Sequence, residues 1–151
     1  QRKPATLLSP QPHTIAIAYR ASDWVLIDYE VLDLGEVRKW FPNDPEFQKT
    51  RNGMLCILQH QQSRTRVVVG NCHLEYNPLY DHVKFAQAVL LLQKAAAYMR
   101  ANTVGSTPFI CGGDFNSLPI SSVLSAFYNE PLTDFSEEAS PSTWHVPAEF
   151  D

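Results

Sequence analysis

The run from Asp81 to Asn102, DHVKFAQAVLLLQKAAAYMRAN, restricts the fold of this chain more than any other stretch. Alanines are dense, Val83, Ala86, Leu90 and Ala97 recur at helical spacing, and Arg100 sits in the last turn, so the spacing predicts a helix over 81–102. The apolar runs around it have the opposite character. MLCILQH and RVVVGNCHL, separated by QQSRT, predict a hairpin whose strands are buried on both faces, and FICGG predicts another short core strand. Upstream, TIAIAYR and WVLIDYEVLDL flank Ala21, Ser22 and Asp23 and predict a first hairpin. Pro119 opens a second helix, PISSVLSAFYN, that stops before Pro131. The order of two hairpins, a long helix, a strand and a shorter helix implies an α/β chain, a sheet layered with helices.

The connections are polar and rich in proline. Pro4, Pro10 and Pro12 mark an irregular lead-in, and Gly35 to Gly53 is expected as an exposed loop with one helical turn near Glu36 to Trp40. Trp40 and Phe41 are expected to plug it locally rather than to stack on bases. The tail from Thr133 to Asp151 shows no strong period and reads as loop.

With 151 residues, 44% of them hydrophobic, the chain has the size of one domain, 1–151. No stretch reaches the roughly 18 unbroken apolar residues of a membrane span, and the start lacks the order of a secretory signal, so a soluble protein without membrane contact is expected. Cys56, Cys72 and Cys111 all lie in apolar runs and read as buried thiols of a reducing compartment, which implies an intracellular and preferentially cytoplasmic location. A net charge of −4 argues against a general polyanion coat, yet leaves room for an enzyme that grips phosphate through a metal.

Two polar clusters follow apolar runs directly: GNCHLEYNP, with His73, Glu75 and Asn77, and GGDFNSLP, with Asp114, Asn116 and Ser117. Strand ends beside loops are where sheet proteins place their sites. Gly112 and Gly113 are expected to relieve backbone crowding, Phe115 to turn into the core, and Asn116 to return to the side of Asp114. One face then offers a carboxylate and an amide, a pair able to hold a hard cation, orient a water and donate to a phosphoryl oxygen. His13, His60 and His82 read as surface or edge residues.

GGDFNSLP resembles the G-D-F-N-S-x-P motif of the endonuclease/exonuclease/phosphatase superfamily, the magnesium-dependent phosphodiesterases related to DNase I, and NCHLEYNP resembles its N-T-H-L strand, with Cys72 where threonine is usual. DHVKFAQAVLLL and IAIAYR point to the deadenylase branch, which includes the carbon-catabolite-repressor-type deadenylases, Nocturnin, Angel and the 2′-phosphodiesterase. The resemblance implies a DNase I-like four-layer α/β sandwich, mostly antiparallel with flanking helices. It also implies hydrolysis of RNA from a poly(A) 3′ end with Mg²⁺ or Mn²⁺. His73 would lie against the scissile phosphate, Asp114 would orient the attacking water near the metal, and Asn116 would hydrogen-bond the phosphate. Asp114 and Asn116 would be the metal-side residues, and Asn77 and Pro78 would shape the rim that receives a base.

The family also carries an upstream L-Q-E motif with the chief magnesium ligand, and downstream D-Y-I and S-D-H motifs with a second histidine. None has a counterpart between Gln1 and Asp151, and His145 precedes the family position. The resemblance therefore implies a partial domain supplying part of a site. Its open sheet edge would be covered by a protein partner, and a non-catalytic assembly module or another superfamily nuclease or phosphatase are the alternative readings.

Overall fold

The computed structural model describes residues 14–102 and 107–129. The lead-in, the tail, His13 and His145 lie outside the described residues, as does part of the break before Pro108. Four strands form one sheet in the order β1-β2-β3-β4. These are β1 (Trp24–Asp33), β2 (Asn52–His60), β3 (Arg66–His73) and β4 (Phe109–Asp114). β1 pairs antiparallel with β2, and β2 antiparallel with β3, while β3 and β4 run parallel. A parallel pair needs a crossover, and the helix α1 (Asp81–Asn102) lies in it, over the residues its spacing predicted. The sheet flanked by helices is the α/β layering expected from the order of elements.

α1 is apolar on more than one side because it is packed on more than one side. Ala88, Leu91 and Ala95 join Leu34, Val37, Leu55, Ile57, Val68 and Cys72 in the main core. Val89, Leu92 and Ala96 turn toward Ala126 of a second helix, α2 (Ser122–Asn129). Such all-round apolarity marks a buried helix. Burying nearly all of a leucine such as Leu91 contributes about 2 kcal/mol each time, and the helix supplies several.

Four expectations need correction. Thr14 to Arg20 is not a strand of the sheet, and β1 takes β2 as its hairpin partner instead. The alternation in TIAIAYR reflects Ile15 and Ile17 turning inward from a segment that lies on the sheet without joining its ladder. Ile17 packs on Cys56, Leu58 and Val67, and Asn71 Nδ2 donates to the Ala16 carbonyl at 2.7 Å. The amides of Asp23 and Trp24 both donate to the Arg20 carbonyl at 3.0 Å, which turns the chain into β1.

β4 is not a core strand: among the described residues it is the sheet's last strand, with Ile110 58% exposed and Cys111 half-buried rather than buried. α2 begins at Ser122, not Pro119, because the Ser121 amide donates to the Leu118 carbonyl in a turn at 3.0 Å first. The 35–53 segment is also less exposed than its polarity suggests. Two short 3₁₀ turns, Leu34–Lys39 and Pro45–Phe47, are capped by Asp33 and Asp44, and they bury Leu34, Val37 and Phe47. Trp40 and Phe41 pack against the core there, with Phe41 stacked on Phe47 at 4.0 Å, as a hydrophobic plug should. The β2–β3 hairpin forms as expected, with β2 buried along most of its length.

Candidate functional site

Parallel register does what sequence separation hides: it places His73 opposite Asp114 at the common end of β3 and β4. The Leu74 amide continues the pairing by donating to the Asp114 carbonyl at 2.9 Å. Both side chains fall on the sheet face away from α1, and His73 Nε2 lies 3.9 Å from Asp114 Oδ2. That separation is longer than a direct hydrogen bond, so the two are close neighbours whose polar atoms face a common point beside them. Asp114 is 63% exposed and His73 29%, so the carboxylate faces solvent from beside a half-sheltered imidazole.

Asn116 completes the cluster by an unusual backbone. Its φ of 50° is left-handed, a region that asparagine tolerates better than most residues. The bend lets its amide donate to Asp114 Oδ1 at 3.0 Å while its side-chain Nδ2 donates to the Leu74 carbonyl at 3.0 Å. A carboxamide has two N–H donors and an acceptor oxygen, so one such bond fixes the group without exhausting it. His73, Asp114 and Asn116 are therefore brought together, from strands far apart in the chain.

Only one of the two glycines relieves crowding. Gly113 has φ +140°, and a Cβ there would run into the Cys72 carbonyl oxygen and lie 2.8 Å from its nitrogen. Gly112 has open space around it, which corrects the expectation for that residue. Phe115 turns from the site toward Phe127 at 4.9 Å, as expected. Behind the site, Cys72 neighbours Cys111. Its hydrogen bond to that thiol and then its burial push its own thiol well above the usual cysteine range. Burial raises Cys56 likewise.

Asn77 and Pro78 lie on the loop that leaves β3. Asn77 Oδ1 accepts from the Leu79 amide at 3.0 Å and its carbonyl accepts from Tyr80 N–H at 3.1 Å, so its oxygens build a turn. The loop is anchored by a residue whose role sequence reasoning missed. Glu75 is 1% exposed. Its carboxylate pairs with Arg51 at 2.9 Å and accepts from the Asn77 amide at 3.1 Å, while its own amide donates to Gln87 of α1 at 2.9 Å. The available signal was a carboxylate directly after the apolar Leu74, where burial requires a partner. Of the remaining histidines, His60 contacts Ser63 at 2.9 Å and His82 pairs with Glu46 at 2.7 Å, edge roles as expected.

The donor set tests the expected metal. Asp114 offers one exposed carboxylate and Asn116 one amide oxygen. Among the described residues no group of three or more His, Cys, Asp or Glu could hold a metal ion. Magnesium takes about six oxygen ligands and relies on carboxylates. The described residues do not fit a closed magnesium site by themselves.

No family model matches the chain. It is 27% identical over 94 residues to the CCR4-Not complex 3'-5'-exoribonuclease subunit Ccr4 of Neurospora crassa, covering 55% of this chain and 12% of that protein. It is 27% identical over 112 residues to protein angel homolog 2 of Mus musculus, covering 72% and 20%. The human Nocturnin catalytic domain superposes with a TM-score of 0.60 at 18% identity, over 75% of this chain and 38% of that one. ANGEL2, described as a 2',3'-cyclic phosphatase, gives 0.60 at 22% identity over 83% and 37%. An endonuclease/exonuclease/phosphatase family protein from Bacteroides thetaiotaomicron gives 0.56 at 16% over 72% and 37%. The chain thus spans a fifth or less of the length of these curated relatives. Among the described residues no helix is long and apolar enough to cross a membrane. In fold the chain is like the Nocturnin catalytic domain and the endonuclease/exonuclease/phosphatase family protein, and in sequence it is similar to the Ccr4 and Angel proteins.

Proposed function

We propose that this chain supplies part of a phosphodiesterase site that acts on RNA 3′ ends, in the manner of a deadenylase. The supporting observation is the meeting of His73, Asp114 and Asn116 at one strand end, with a 3.9 Å gap between imidazole and carboxylate. Phosphoryl transfer needs fixed donors and charge compensation rather than a covalent nucleophile. In this reading the His73 imidazole donates to a non-bridging phosphoryl oxygen, the Asp114 carboxylate accepts from the attacking water, and the remaining Asn116 N–H donates to the phosphate. Mg²⁺ or Mn²⁺ would supply charge neutralisation, its further ligands coming from outside the described residues. The substrate is a poly(A) 3′ end, and the compartment intracellular, preferentially the cytoplasm.

Two observations favour other readings of the same fold. The absence of a metal-binding group among the described residues, with apolar side chains exposed on one sheet face, fits a non-catalytic module whose open edge a protein partner covers. The likeness to ANGEL2 over 83% of the chain fits a cyclic-phosphate end as the substrate. One experiment separates them: incubation of 3′-oligoadenylated RNA, and of RNA ending in a 2′,3′-cyclic phosphate, with the chain and Mg²⁺ or Mn²⁺, beside Asp114→Ala. Loss of adenylate release by at least about 100-fold in the variant is the expected result, the scale of one lost general-base or charge-stabilising contact. Opening of the cyclic phosphate alone would favour the phosphatase, and inactivity of both proteins the assembly module.

A further inference from the structure

The loop after His73 was expected to meet a base through Asn77 and Pro78, yet the Asn77 oxygens are committed to the turn. The side chain that stands out from this loop is Tyr76, 68% exposed between two buried residues before it and the turn after it. Its ring is not loose. The Arg51 guanidinium carbon lies 5.4 Å from the ring centroid, within cation–π range. Arg51 is itself held by the buried Glu75 carboxylate at 2.9 Å, and Glu75 by Gln87 of α1. Buried charge, cation and aromatic ring form a chain that fixes an exposed aromatic three residues beyond His73, a reach of at most about 10 Å.

We propose that Tyr76, braced by Arg51, is the stacking surface for the nucleobase of a nucleotide whose phosphate lies at His73 and Asp114. The inference rests on the phosphodiesterase reading of that site and names the part of the substrate it recognises. A tyrosine face stacks on any base, because every base has a π-face, and an ordered ring loses little freedom when a base lands on it. The surface favours a base-bearing phosphate over a bare sugar phosphate and discriminates weakly among bases.

The test is calorimetric titration of the chain with adenosine 5′-monophosphate and with ribose 5-phosphate, for the unaltered protein, Tyr76→Ala and Tyr76→Phe. Because Tyr76 is exposed, neither substitution removes core packing. The nucleotide is expected to bind about tenfold or more tightly than ribose 5-phosphate, an advantage that Tyr76→Ala abolishes and Tyr76→Phe retains. Ribose 5-phosphate affinity should stay unchanged in all three proteins. Equal affinity of the unaltered protein for both ligands, or an advantage that survives Tyr76→Ala, would overturn the stacking surface and leave the phosphate site standing. Binding of neither ligand would overturn the phosphodiesterase reading and the stacking surface with it.

Discussion

Two adjacent glycines show how much a single Cβ decides. Gly113 holds φ +140° under the Cys72 carbonyl, whereas Gly112 faces open space. Gly113→Ala should therefore destabilise the chain by about 3 kcal/mol, combining left-handed strain with a collision against backbone that cannot move aside. Gly112→Ala should stay within about 0.5 kcal/mol. Paired urea titrations measure both, and similar midpoints for the two variants would contradict the assignment of Gly113 as the glycine that relieves backbone crowding. The residue types of the site were readable from sequence, since Asp114 and Asn116 stand together after an apolar run. The different needs of the two glycines were not, because they depend on β3, whose residues lie far away in the chain. Glu75 was visible in the same cluster as His73, but its anchoring role was not, because its partners Arg51 and Gln87 come from either side of it in sequence.

At the scale of elements, α1 is joined to the sheet by polar as well as apolar contacts. The Tyr98 hydroxyl donates to Asp28 Oδ2 of β1 at 3.2 Å. Burial, and then the Asp28 charge, hold the Tyr98 hydroxyl above the usual tyrosine range. A raised folded-state value means that the native chain keeps a proton that the unfolded chain releases. The contribution is complete below about pH 10, the unfolded tyrosine value, and falls as pH rises beyond it. Denaturant midpoints measured across that range should decline more steeply for the unaltered chain than for Tyr98→Phe. At neutral pH the substitution should cost about 1 kcal/mol for the lost hydrogen bond. Helix α1 and the β2–β3 hairpin were legible because each carries its own periodicity or turn. The pairing of β1 with β2 was not, since the alternation of Thr14 to Arg20 records which side chains turn inward and says nothing about ladder bonds.

Across the whole molecule, the Arg51–Glu75 pair ties the start of β2 and the loop after β3 to α1 through Gln87. Removing one member leaves a buried charge without compensation. Arg51→Met should cost about 3–5 kcal/mol in urea unfolding, and the double variant Arg51→Met/Glu75→Gln should recover much of that loss, because no lone charge remains. A double variant no more stable than Arg51→Met would show that the guanidinium acts by packing rather than by charge. The layered α/β plan was visible from the order of elements, but the marginal place of β4 was not: the composition of FICGG suits a core strand, and only sheet order sets it at the rim. The parallel join between β3 and β4 also bears on how the chain reaches this state. Antiparallel neighbours can zip from a tight turn, whereas a parallel pair closes only after a long intervening segment has been ordered, which makes it a slow, late contact. His73 and Asp114 belong to that contact, so their approach is expected only once β4 has paired with β3.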